Sequence, residues 1–209
     1  MPKLVDHDAR RRLVAEIAAD IVAARGVDAL TLRDVATAAG YSTAIVSHYF
    51  ADKRDLVLAT YETAAERQTA RFDDAYTENK PMVAVLEALL PTSDTARRDW
   101  RLSVAFWGVA ASDPYMTEDQ QRRGRSYQVR IENLLRNELR RGPEPDPADL
   151  ALAAGSLVAF TTGIGMHATF DPGQWPARRQ REALRREVAR LLDEIKTASI
   201  TAAGDQWAS

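Results

Sequence analysis

The chain has 209 residues, 45% hydrophobic and 28% charged, enough apolar mass for one large domain or two small ones. It contains no cysteine, which excludes a disulfide scaffold, a thiolate zinc site and a cysteine nucleophile, and which fits a reducing compartment such as the cytoplasm. The formal net charge of −2 argues against an indiscriminate polyanion binder, and residues 1–54 carry only eight basic against seven acidic groups. The first five residues lack the apolar core of a signal peptide, and no apolar run is expected to be long enough to cross a bilayer.

The basic cluster Arg10, Arg11, Arg12 reads as a solvated helix start. From Leu13, apolar residues recur as Leu13, Ile17 and Ile21, with Val14, Ala18 and Val22 beside them, which is one helical face that Gly26 ends. Thr31 and Asp34 form a capping pair before Leu32, Val35, Ala36 and Ala39, and Gly40 stops this second, short helix. Ser42 caps a third helix that must end near Phe50, because Asp52 reads as the cap of another beginning at Lys53. Beyond Asp52 the pattern is helical throughout, with breaks at Lys80-Pro81, Pro91 to Asp94, Asp113-Pro114, Gly142 to Pro147 and Asp171 to Pro176. No segment alternates with period two, so the expected class is all-α with about nine helices. The expected division is 1–52, 53–196 and a frayed, flexible tail over 197–209.

Two short helices joined by Gly40-Tyr41-Ser42 have the spacing of a DNA-reading helix-turn-helix. At 100° per residue, Ile45, Val46, Tyr49 and Phe50 fall on one half of the third helix, while Thr43, Ala44, Ser47 and His48 fall on the other. The first half reads as core. The second is small and hydrogen-bond capable, so a backbone can come close to base edges while Thr43, Ser47 and His48 reach bases or phosphates. Thr31, Arg33 and Lys53 add phosphate-facing groups at the same edge, beside helix starts whose free N–H groups favour an anion. Any small helical bundle has short capped helices, so the pattern alone leaves DNA binding open.

The segments Leu30 to Ala36, Ala39 to Thr43 and Ser47 to Phe50, with Asp52, Lys53 and Leu56, resemble the DNA-binding domain of TetR-family regulators. Within that family, Met1-Pro2-Lys3-Leu4, the Ser42 to Phe50 core and Ala105-Phe106-Trp107 before Asp113-Pro114 look like the choline-responsive repressors of betaine synthesis. The resemblance implies that Thr31, Thr43, Tyr49 and Lys53 hold the phosphate backbone and that Arg33, Ala44, Ser47 and His48 face bases. It also implies a homodimer on a palindromic operator, released by a small-molecule effector that shifts the spacing of the two reading helices. Dimerisation through the last two helices would use Leu150, Ala154, Leu157 and Thr161 with Leu184, Val188, Leu191 and Ile195.

Aromatic residues gather in the second half. Trp100, Phe106, Trp107, Tyr127 and Phe160, with His167, are candidate ligand contacts, and a quaternary ammonium would be held by cation–π attraction. The plainer reading of aromatics at helical spacing is core. No cofactor or metal motif is present in the sequence. An enzyme is the first rival, yet there is no Gly-rich phosphate loop, His-x-x-x-His pair or Gly-x-Ser-x-Gly elbow, and Gly163-Ile164-Gly165 reads as close packing in an apolar helix. A helical small-molecule-binding protein without DNA binding is the second rival, and it leaves the outer face of the third helix without a purpose.

Overall fold

The computed structural model describes residues 7–207, with side chains through Thr201. Among the described residues there is no strand, and the helices are α1 (His7–Arg25), α2 (Leu32–Ala39), α3 (Thr43–Tyr49), α4 (Lys53–Thr77), α5 (Met82–Glu87), α6 (Asp94–Ala110), α7 (Pro114–Leu139), α8 (Pro147–Phe170) and α9 (Ala177–Trp207). The start Met1-Pro2-Lys3-Leu4 lies outside the described residues.

Local chemistry sets most of these ends. Thr31 accepts a hydrogen bond from the Asp34 amide at 3.0 Å and donates its own hydroxyl to the Asp34 carboxylate at 2.5 Å, closing the start of α2. Gly40 ends α2 at φ +68°, a left-handed conformation in which a β-carbon would be strained. Ser42 caps α3 through the Ile45 amide at 3.3 Å, and Asp52 caps α4 through the Asp55 amide at 2.8 Å. Two boundaries differ from the sequence expectation. α1 begins at His7, so the arginine triplet lies inside it, and α9 runs on through Trp207, with Ser199 buried, where a frayed tail was expected.

The chain divides into two compact units, and the division is not the expected one at residue 52. The first comprises the chain up to Ala70 together with Ser93–Thr117; the second comprises Arg71–Thr92 and Glu118–Ser209. The larger part of α4, through Ala70, and all of α6 therefore belong with α1 to α3.

The first unit is built on Val14 and Ala18 of α1, Val35 of α2, Val46 of α3, Leu56 of α4 and Phe106 of α6. A charged clasp crosses it. Asp99 is only 2% exposed and accepts from Arg67 Nε at 3.0 Å and Nη2 at 2.5 Å, while Arg67 also donates to Glu16. Arg98 completes it with Glu16 at 3.4 Å and Asp20 at 2.8 Å. Burial alone would pull the Arg67 guanidinium down, but hydrogen bonds and charge from Asp99 and Glu16 outweigh it and hold the group above its ordinary value.

The second unit is centred on α8 against α9. Leu150, Ala154, Leu157 and Thr161 meet Leu184, Val188, Leu191 and Ile195, and all eight are buried within one copy of the chain. This corrects the expectation that they form a dimer interface, because the apolar stripes are already covered by each other. It also bears on the membrane expectation. α8 is long and apolar enough to cross a bilayer by length and composition, contrary to the sequence reading, but its stripe from Leu150 to Ala168 is spent on this core.

Asp99→Ala is expected to leave Arg67 a partly buried cation without its main partner and to cost about 2 to 3 kcal/mol, less than for a fully buried pair because Arg67 keeps some solvent. Thermal unfolding would then fall by about 5 to 10 °C.

Candidate nucleic-acid interface

Helix α3 has seven residues, too few to be stable alone, so its position is imposed by neighbours. Val46 and Phe50 are fully buried against α1, α2 and α4, and the Arg11 guanidinium sits 4.7 Å over the Phe50 ring while pairing with Asp55 at 2.5 Å. Thr43, Ala44, Ser47 and His48 are exposed on the opposite side. The polar edge assigned from the helical wheel is therefore bare.

Two residues depart from expectation. Ile45 was placed on the inner half but is 41% exposed, because Val46 and Phe50 fill the space between α3 and its supports. Tyr49 is only 8% exposed, with its ring against His7 at 4.7 Å and His48 at 5.6 Å, which agrees with the wheel and speaks against an outward phosphate-holding ring. It is not carried forward as a phosphate contact.

The supporting cations are unequal. Arg33 is exposed and its guanidinium has no hydrogen bond or ion pair among the described residues, so it remains available to an anion. Lys53 is exposed and donates one bond, to the Asp28 carbonyl at 3.3 Å, which ties the start of α4 to the loop after α1 and leaves other donors free. The Thr31 hydroxyl both donates to the Asp34 carboxylate and accepts from the Asp34 amide, so it serves as a cap at the exposed start of α2. Arg11 and Arg54 are structural: the latter pairs with Asp113 at 2.7 Å and lies 5.1 Å from the Tyr115 ring. Sequence reasoning missed these long-range partners, since nothing local announces them.

The candidate ligand residues separate. In the first unit, Trp100 and Phe106 are buried; Phe106 stacks on Tyr61 at 3.8 Å, and Trp100 meets Trp107 edge-to-face at 5.8 Å. Those two pack as core side chains. Trp107 differs. It is half-buried, and its Nε1–H is shielded from solvent with no acceptor among the described residues. In the second unit, Tyr127 and Phe160 are half-buried against the core, and His167 is exposed and stacked on Trp175 at 5.7 Å. Among the described residues, no three His, Asp or Glu side chains converge as a metal site.

A short, capped pair of helices with a bare polar edge, inside an all-helical chain, has the architecture of a helix-turn-helix. Residues 16–60 match the family described as bacterial regulatory proteins, tetR family, and residues 81–193 match the BetI-type transcriptional repressor C-terminal family. The chain belongs to the TetR family, with a BetI-type C-terminal region, and is a transcriptional regulator rather than an enzyme.

Among characterised relatives, the HTH-type transcriptional regulator PksA of Bacillus subtilis is 28% identical over 203 residues, covering 93% of this chain and 94% of that protein. The HTH-type transcriptional regulator BetI of Escherichia coli is 26% identical over 182 residues, covering 82% and 88%. A transcriptional regulator from Rhodococcus superposes with a TM-score of 0.78 at 21% identity, over 89% of this chain and 97% of that one. A Saccharomonospora viridis structure in complex with choline superposes with a TM-score of 0.74 at 22% identity, over 87% and 96%. These two establish the shared fold.

Proposed function

We propose that the chain is a cytoplasmic, homodimeric repressor in which α3 of each copy reads one half of a palindromic operator, and that a small molecule releases it. The observation that carries this reading is the bare edge of Thr43, Ala44, Ser47 and His48, held outward by the burial of Val46 and Phe50. Thr43, Ser47 and His48 offer donors and acceptors to base edges, and Ala44 allows close approach. Arg33, Lys53 and the starts of α2 and α4 hold phosphates on either side. Gel-shift titration against fragments selected from the genome is the direct test. Ser47→Ala or His48→Ala should reduce preference for the cognate site over scrambled duplex by about 1 to 3 kcal/mol, whereas Lys53→Ala should weaken both alike and lower the salt slope by about 1. Equal losses on both duplexes for His48→Ala would count against base reading.

With the expected stripes buried, the pairing surface is reassigned to the outer side of α8. At 100° per residue, Leu152, Ser156, Ala159, Gly163, Met166 and Phe170 fall within about 40° of one line. Leu152 is 72% exposed and Phe170 69%, and a β-carbon on Gly163 would meet nothing, so this glycine is not explained by packing inside one copy. A second copy supplies the matching apolar face, and two reading helices about 34 Å apart then meet successive major grooves. Leu152→Glu should convert the dimer to a folded monomer in sedimentation and abolish operator binding; a dimer that survives the change would overturn the assignment.

The effector proposed is a quaternary ammonium compound of the choline type. Its support is the BetI-type family match, the choline-bound neighbour and Trp107, whose buried Nε1–H has no acceptor among the described residues, one that a ligand hydroxyl could supply. Choline should release the operator complex, and Trp107→Ala should abolish that release while leaving a folded dimer on DNA. Loss of the fold itself would mean that Trp107 only packs.

A further inference from the structure

His7, in the first turn of α1, packs its ring 4.7 Å from Tyr49 and 5.6 Å from His48, and His48 lies 5.6 Å from Tyr49. Both His48 contacts are edge-to-face, with interplanar angles of 76° to His7 and 71° to Tyr49, the arrangement in which aromatic rings attract. The three rings differ in what surrounds them. Tyr49 is buried and fixed by the fold, His7 is half exposed with Asp8 at 4.0 Å from its Nδ1, and His48 projects from the outer edge of α3. An exposed side chain on a short helix would otherwise exchange rotamers freely, and freezing it on DNA would cost conformational entropy.

We propose that His7 is a positioning residue for operator recognition: with Tyr49 as the fixed wall, its ring confines the His48 imidazole to the orientation that enters the groove. The proposal rests on the base-reading role given above to His48 and adds a residue from a different helix, 41 positions away, to the specificity apparatus. His7 acts through His48. Its contribution therefore belongs to discrimination between sequences, unlike that of Arg33 or Lys53, which attract any duplex. An edge-to-face ring contact of this kind corresponds to about a three- to tenfold effect.

The test uses the full-length dimer, a genomic duplex selected by the protein and a scrambled duplex of equal length, with His7→Ala, His7→Phe, His48→Ala and the double variant His7→Ala/His48→Ala. His7→Ala should lower the cognate-to-scrambled affinity ratio about three- to tenfold without changing the salt slope. His7→Phe keeps a ring in place and should restore most of the ratio, which separates positioning from an ionic contact. In the His48→Ala background, removing the His7 ring should change nothing further. Circular dichroism of each variant checks the fold, and the phenylalanine variant keeps the test decisive if the alanine variant unfolds. A fall on both duplexes with a shallower salt slope would make His7 a phosphate contact and overturn the proposal. So would a silent His7→Ala, failure of His7→Phe to restore the ratio, or an undiminished effect in the His48→Ala background. If His48→Ala alone leaves the ratio intact, base reading by His48 fails first and the proposal falls with it.

Discussion

The burial of Val46 and Phe50 beneath a seven-residue helix is the constraint from which the rest follows. A helix of two turns has no stability of its own, so α3 exists because α1, α2 and α4 present it with an apolar seat. The two residues that fill that seat fix its rotation about its axis. Once the rotation is fixed, Thr43, Ala44, Ser47 and His48 must face solvent, whatever their own preferences. Gly40 supplies the left-handed turn that aims the helix, and Arg11 clamps the seat from outside through Phe50 and Asp55.

Charge is arranged around the same seat with economy. The first unit holds 12 basic and 13 acidic groups, a formal charge of −1, so no overall field holds DNA and individual cations matter. Arg11, Arg67 and Arg98 are engaged in ion pairs that fasten α1, α4 and α6 to one another, and Arg54 ties α4 to Asp113 in the turn after α6. Among the described residues, the Arg33 guanidinium and part of the Lys53 ammonium are left unpaired at the surface, with the helix starts of α2 and α4 beside them. The structural arginines also hold the helix-turn-helix rigid: the Asp99 carboxylate, nearly removed from solvent, is met by Arg67 with two donors.

The helix order and breaks were legible in the sequence because capping residues, glycines and prolines act locally. Thr31, Gly40, Ser42 and Asp52 each do in the structure what their chemistry implies. The exposure of Thr43, Ala44, Ser47 and His48 was legible for the same reason, as their polarity or small size sets them apart from the supports Val46 and Phe50. Ile45 was misplaced because a wheel cannot say which of two adjacent apolar residues meets a neighbour, and Val46 took the seat. α8 was misread for a deeper reason. It is apolar on nearly every side, so its sequence has no direction; the stripe richer in leucine and isoleucine turned out to be internal core, and the smaller residues around Ala159 and Gly163 were left outward. The division into units was hidden altogether, since it runs through the continuous helices α4 and α7 and depends on contacts that pair α6 with α1.

Whether the outer edge of α3 meets bases in the major groove is decided by methylation interference. Guanine N7 lies in the major groove, so a methyl group there obstructs an entering helix. On a genomic fragment retained by the protein, methylation at two positions about one helical turn apart should block binding, and unbound duplexes should be enriched in those modified sites. Binding that tolerates N7 methylation everywhere, yet is displaced by a minor-groove ligand, would mean that α3 does not enter the major groove.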